Sequence, residues 1–256
     1  MLFKYIQFYL HASTRHDIHS PFVFDLLTLV INDKKNHPAF SEIEQLRKKL
    51  LNDPEEIDIE DLGAGADKTG KTSKSIREII RHSAKPPRYA KLLYRLCNRF
   101  EPEEILELGT SLGISTCYLS AGNPAAKLTS MEGCPEIANR ARHNIHLLNK
   151  KQIRVLQGNF ADLLPPYLAS TQRLDLVFFD GNHRKEPTLD YFRQCLERAS
   201  AKSLFIFDDI HWSREMEQAW EEIKQHPSVT VTIDLFFMGL VFFRTGQEKQ
   251  HFTLRF

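Results

Sequence analysis

Residues 104–120 read EILELGTSLGISTCYLS, and this stretch decides the fold. Ile105, Leu106 and Leu108 make a short apolar strand. Gly109-Thr110-Ser111-Leu112-Gly113 forms a loop, and a helix starts at once behind it. Glycines there let a ligand approach the backbone, and a helix N-terminus then faces it. The spacing is not the full G-x-G-x-x-G of a dinucleotide fold.

Outward from this unit, toward the C-terminus, strands and helices alternate. KLTSME (127–132), QIRVLQG (152–158), LVFF (176–179) and SLFIFD (203–208) read as strands. Helices are expected at 135–148, 160–169, 186–199 and 213–225, and Pro135 suits a helix start. The unbroken apolar run 176–179 predicts burial on both faces. VTVTID and MGLVFFR add two strands, and HFTLRF can add an edge. The pattern predicts a doubly wound, Rossmann-like α/β sheet, seven-stranded and mostly parallel.

Toward the N-terminus the pattern is helical. Residues 1–87 are expected to be a helical extension or cap, and 88–256 the main domain. Ser20 with Pro21 marks a helix start, Ser41 to Glu44 reads as a capping box, and 52–74 reads as a polar loop. Tyr89, Leu92, Leu93 and Leu96 share one helix face. Inside the polar loop, Gly65 to Thr72 fits the phosphate-loop pattern, with Lys71 to reach phosphates and Thr72 to meet magnesium. The preceding EEIDIEDL alternates acids with isoleucines and predicts at best a half-exposed edge, where a phosphate loop needs a buried parallel strand.

Composition bounds the function. With 34 basic and 33 acidic residues the formal charge is +1, which gives no case for nucleic acid. The four cysteines are widely spaced without a C-x-x-C pair, so buried free thiols are expected. The short, interrupted apolar start is not read as a signal peptide, and no 18-residue apolar run exists; a soluble cytoplasmic protein without membrane attachment is expected. FFMGLVFF (236–243) reads first as a core strand, with a homodimer interface as its alternative.

Glu107 stands two residues before Gly109. An acid beside a glycine loop repels pyrophosphate and suits a cationic ligand, so S-adenosylmethionine is favoured over NAD. Glu132 ends the next strand, where a carboxylate can accept both ribose hydroxyls. On ELGTSLGIST, TSMEG and VLQGNF, residues 88–245 resemble a class I S-adenosylmethionine-dependent methyltransferase. The likeness is strongest to small-molecule O-methyltransferases related to catechol O-methyltransferase and to uncharacterised bacterial relatives. The resemblance implies that Glu107, Gly109, Thr110, Ser111, Gly113 and Glu132 hold the cofactor. It further implies that Asn159 and Phe160 meet the adenine.

Asp180 and Asp208-Asp209 close later strands, whose ends face the cofactor crevice in an open sheet. Carboxylates converging there call for a cation, and oxygen ligands suit magnesium or calcium. Alternatively, Asp180 and Asp208 cap loops or bind cofactor atoms. The catechol-type enzymes carry a metal at this place, with an amide where this chain has Asp209. His183 falls where their general-base lysine does, and a histidine there can deprotonate a hydroxyl near neutral pH. His211 and Trp212 are further candidates for the pocket, and Asp17 and His19 for a lid. The expected function is methylation of a small-molecule hydroxyl, with a divalent ion assisting. The alternatives are N-methylation of a small molecule or protein, a phosphate-loop protein, and a non-catalytic interaction module.

Overall fold

The computed structural model describes residues 2–59 and 72–256. The chain divides into two compact units: a middle unit, Lys35–Ser170, and a terminal unit, Met1–Lys34 with Thr171–Phe256.

The terminal unit begins with α1 (Leu2–His11) and a 3-10 turn at Arg15–Asp17. Asp17 Oδ2 accepts the Thr14 N–H at 2.8 Å, so this acid closes the turn. α2 (Pro21–Leu26) starts at Pro21 as its sequence predicts and runs into a π-helical turn, Leu27–Ile31.

In the middle unit α3 spans Pro38–Leu51. It starts one turn before the expected Ser41: Pro38 occupies the first helical position, where its missing N–H costs nothing, and His37 Nδ1 accepts the Ala39 N–H at 3.3 Å. The stretch read as a polar loop contributes two strands, β1 (Glu56–Ile59) and β2 (Thr72–Ser75). They pair antiparallel as a two-stranded sheet of their own. α4 (Ile76–Ser83) follows directly, with Ser75 N–H donating to Glu78 at 2.8 Å. α5 (Pro87–Phe100) buries the predicted face of Tyr89, Leu92, Leu93 and Leu96.

β3 (Glu104–Leu108), β4 (Lys127–Glu132) and β5 (Ile153–Gln157) form a parallel run, crossed by α6 (Ile114–Gly122) and α7 (Pro135–Leu147). α8 (Phe160–Ser170) completes the unit. α5 and α6 touch nearly backbone to backbone. A Cβ at Gly122 would lie 2.6 Å from Cys97 Cβ and collide with the Tyr94 carbonyl, so no larger residue fits there.

The rest of the terminal unit holds β6 (Leu176–Phe179), α9 (Lys185–Leu196), β7 (Leu204–Asp208), α10 (Arg214–Gln225), β8 (Val231–Asp234), β9 (Met238–Phe242) and β10 (Gln250–Thr253). β6 and β7 pair parallel; β9 runs antiparallel between β7 and β8, and β10 adds a parallel edge on β8. All residues of β6, β7 and β9 are buried, so 236–243 supplies a core strand. Phe179 and Phe207 stack at 4.3 Å, and Phe192 meets Phe207 edge-on. Burying each such ring contributes about 1.5–3 kcal/mol. Gly239 makes room for Trp220, whose ring would lie 2.7 Å from an added Cβ. The four cysteines are buried free thiols, as expected.

Candidate active site

In the middle unit the β3–α6 loop is tied to the end of β4. Gly109 and Thr110 N–H both donate to the Met131 carbonyl, at 2.9 and 3.2 Å. Thr110 Oγ1 and Ser130 Oγ lie 2.6 Å apart. Gly109, Ser111 and Gly113 have φ of 109°, 47° and 84°. Gly113 caps α6 in a conformation that side chains avoid, and a Cβ there would also press Ile145 at 3.3 Å. Asn144 of α7 donates to the Leu112 carbonyl at 3.0 Å, fixing the loop from the other side.

Glu132, at the end of β4, accepts the Ser111 N–H at 2.8 Å and the Cys134 N–H at 3.0 Å. Its carboxylate is therefore held against the glycine loop. Glu107 is fully buried and accepts three hydroxyls: Ser115 at 2.7 Å, Thr116 at 2.5 Å and Ser130 at 2.6 Å. Burial pushes its carboxyl up to about 7; the hydroxyls pull the other way, and the charge of Glu132 adds to the rise. Sequence reading found both acids and missed these hydroxyls. Their signal was Ser115-Thr116 in the first turn behind the loop. Asn159 Oδ1 accepts the Ala161 N–H at 3.0 Å, capping α8, and Phe160 begins that helix half-buried.

In the terminal unit, Asp180 follows β6 directly and Asp208 ends β7, 1% exposed. Asp180, His183 and Asp208 each offer a donor atom, all within 4.8 Å of one another. His183 Nε2 lies 3.8 Å from Asp180 Oδ1 and 4.0 Å from Asp209 Oδ2. Two carboxylates and an imidazole at that spacing fit a divalent cation. Two left-handed residues shape the cluster, Asn182 at φ 54° and Asp209 at φ 53°. Such backbone favours Asn and Asp, which accounts for the residue type at 209 in physical terms. Asp209 N–H donates to the Phe237 carbonyl at 2.7 Å, and the Asn182 side chain bridges Arg184 and Tyr191 at 2.8 and 3.3 Å.

His211 is held elsewhere. Its Nε2 pairs with Asp234 at 2.8 Å and its Nδ1 faces Glu217 at 3.4 Å, while Phe236 stacks on the ring. Glu217 also meets Lys4 of α1 at 2.8 Å. Trp212 beside it is 62% exposed. Lys185 Nζ pairs with Glu222 of α10, a structural bridge between helices. Residues 65–71 of the phosphate-loop pattern Gly65–Thr72 lie outside the described residues. The flanking strands speak against it: among the described residues β1 has only an antiparallel partner, and Thr72 opens a strand where a phosphate loop opens a helix.

Comparison with known proteins agrees with this geometry. Residues 106–210 match the family model described as a methyltransferase domain. An O-methyltransferase of Aspergillus flavus is 28% identical over 150 residues, 53% of this chain and 60% of that protein. A catechol O-methyltransferase of Niastella koreensis is 28% identical over 127 residues, 48% and 57% of the two chains. The chain thus matches less than two thirds of the length of these curated relatives. Among solved structures, an O-methyltransferase from Bacillus cereus in complex with SAH superposes with a TM-score of 0.58 at 19% identity, covering 86% of this chain and 96% of the other. The Streptomyces achromogenes O-methyltransferase involved in tomaymycin synthesis, in complex with SAM, gives 0.59 at 19% identity, covering 87% and 95%. Residues 106–210 are thus similar to a methyltransferase domain, and the chain has the α/β fold of the solved O-methyltransferases it resembles.

Proposed function

We propose that this chain transfers the methyl group of S-adenosylmethionine to a hydroxyl of a small molecule. One observation carries the reading: the Glu132 carboxylate is fixed beside the β3–α6 glycine loop by the Ser111 N–H, at 2.8 Å. A carboxylate at that strand end accepts ribose hydroxyls, and a glycine loop opening a helix lets a ligand approach the backbone. Gly109, Thr110, Ser111 and Gly113 shape that loop, Glu107 adds a nearby acid, and Asn159 and Phe160 are assigned to the adenine.

In the transfer an acceptor oxygen attacks the methyl carbon in line. The O–C bond forms as the C–S bond breaks, and the sulfonium becomes a neutral thioether. The hydroxyl proton has to leave, to His183 Nε2 or to water. A divalent ion held by Asp180 and Asp208, with Asp209 beside them, would lower the pKa of that hydroxyl. Positioning supplies most of the rate.

The test is calorimetric titration with S-adenosylmethionine, followed by transfer of labelled methyl to panels of small phenols, alcohols and amines. Binding with labelled hydroxyl products is expected. Labelling of amines alone would move the assignment to N-methylation, and absence of binding would remove it.

A further inference from the structure

We propose that His183 is a ligand of the divalent cation, so that the centre takes a nitrogen-accepting transition-metal ion in preference to magnesium. The inference rests on reading the terminal unit as the acceptor half of a methyltransferase.

The donor atoms of Asp180, His183 and Asp208 lie within 4.8 Å of one another. Around an ion about 2.0–2.2 Å from each ligand, donor pairs stand roughly 3–4 Å apart. His183 Nε2 and Asp180 Oδ1 already stand at 3.8 Å. That separation, and the 4.0 Å to Asp209 Oδ2, exceeds the roughly 2.7–2.9 Å of a charge-assisted hydrogen bond. From Nε2 the imidazole stands off both carboxylates by a distance that suits a shared ion better than a closed ion pair.

The turn that delivers the imidazole is built for it. Asn182 takes φ 54° and reverses the chain within two residues of Asp180. Its amide is fixed on both sides, by Tyr191 and Arg184. Asp208 is 1% exposed, so its carboxylate is offered to the group from inside the fold rather than from the solvent surface.

The donor set then chooses the ion. Magnesium prefers oxygen ligands and keeps several waters; imidazole suits iron, nickel, copper and zinc, and manganese and cobalt, which take imidazole beside carboxylates, serve as their probes. A nitrogen lone pair on an ion cannot also take a proton, so the ligand role displaces the base role at Nε2.

The experiment uses the full chain without donor or acceptor. Manganese, cobalt and magnesium are titrated by calorimetry, and the manganese form is read by pulsed electron paramagnetic resonance for coupling to nitrogen. Manganese or cobalt should bind at least about tenfold tighter than magnesium, with a nitrogen coupling present. His183→Ala should lose the coupling and about tenfold in manganese affinity, with magnesium changed far less. His183→Asp makes the set all-oxygen and should move the preference toward magnesium; circular dichroism checks that both variants fold. Equal affinities, no nitrogen coupling, or no divalent binding would overturn the proposal. A separate titration with S-adenosylmethionine in chelator judges the methyltransferase reading independently.

Discussion

The acids of the middle unit and those of the terminal unit are held in opposite ways. Glu107 sits among three hydroxyls and Glu132 among two backbone amides, all donors of the protein's own. Asp180, Asp208 and Asp209 instead gather near each other around an imidazole. The first arrangement is finished before a ligand arrives and suits recognition of a fixed molecule. The second concentrates negative charge and suits something cationic. Binding of donor and handling of acceptor should therefore separate under mutation.

The sharpest break comes at Asp208. Asp208→Asn should lower the rate of methyl transfer about a thousandfold, because it removes a buried carboxylate from the proposed ligand set of the ion. S-adenosylmethionine affinity should stay within about threefold. Steady-state kinetics beside calorimetry reads both, and a parallel loss of donor affinity would show that the two sets of acids act as one. Glu132→Ala does the reverse. It removes the carboxylate proposed to accept two ribose hydroxyls, worth about 3 kcal/mol or more, so donor affinity should fall by a few hundredfold. Divalent-ion affinity, set by the terminal unit, should not change.

Glu107 gives the comparison a pH signature. Its folded carboxyl is raised to about 7 from an ordinary 4.5, by burial first. A raised carboxyl contributes its stability below the unfolded value and loses it as pH climbs through the folded one. The unliganded protein should thus lose on the order of 3 kcal/mol between pH 4.5 and pH 7 from this group. In Glu107→Gln the loss should vanish, which denaturant melts at pH 5 and pH 8 detect. A cationic donor bound nearby would favour the ionised carboxylate, so donor binding near neutral pH should release a proton. Calorimetry in buffers of different ionisation enthalpy measures that release.

Much of this was legible in sequence because it is local. EILELGTSLGIST carries its strand, turn and helix in consecutive residues, and the acids at 132, 180 and 208 stand at strand ends that apolar runs announce. What stayed hidden depends on contacts far along the chain. Ser130 reaches Glu107 across the β3–β4 pairing, and Asp234 reaches His211 across 23 residues. Neither has a spacing signature. The start of α3 was misplaced because Ser41 and Glu44 imitate a cap, while Pro38 and His37 supply the real one. Ser41 instead accepts from Gln45, and Glu44 serves Arg47 and Tyr118. At Asp180 the sequence alone suggests oxygen ligands with a base nearby. Only the left-handed turn at Asn182 brings the imidazole into it.

Packing in the terminal unit yields a smaller, purely structural effect. Gly239→Ala would press a methyl group to 2.7 Å from the Trp220 ring, inside a fully buried strand. Overpacking of this kind costs about 1–3 kcal/mol, so the melting temperature should drop by a few degrees. Donor affinity, proposed to rest on the middle unit, should be unchanged, and a fall in it would mean that the strain in β9 reaches further than its own core.

The smallest effect is expected at Lys71, the residue on which a phosphate-loop reading depends. That lysine lies outside the described residues, but the strands on either side are defined. β1 alternates Glu56, Ile57, Asp58 and Ile59, and pairs antiparallel with β2 alone in a sheet of two strands. A phosphate loop needs a buried parallel strand before it and a helix N-terminus at its Lys-Thr, so that backbone amides converge on the phosphates. Here the Thr72 that follows Lys71 enters a strand, and the helix begins only at Ile76 under a Ser75 cap whose N–H is taken by Glu78. Lys71→Ala should therefore leave S-adenosylmethionine affinity and methyl transfer unchanged, and titration with ATP and magnesium should give no heat of binding. Tight ATP binding that disappears in the variant would place a second nucleotide site on the hairpin and take the comparison from two kinds of acid site to three ligand sites.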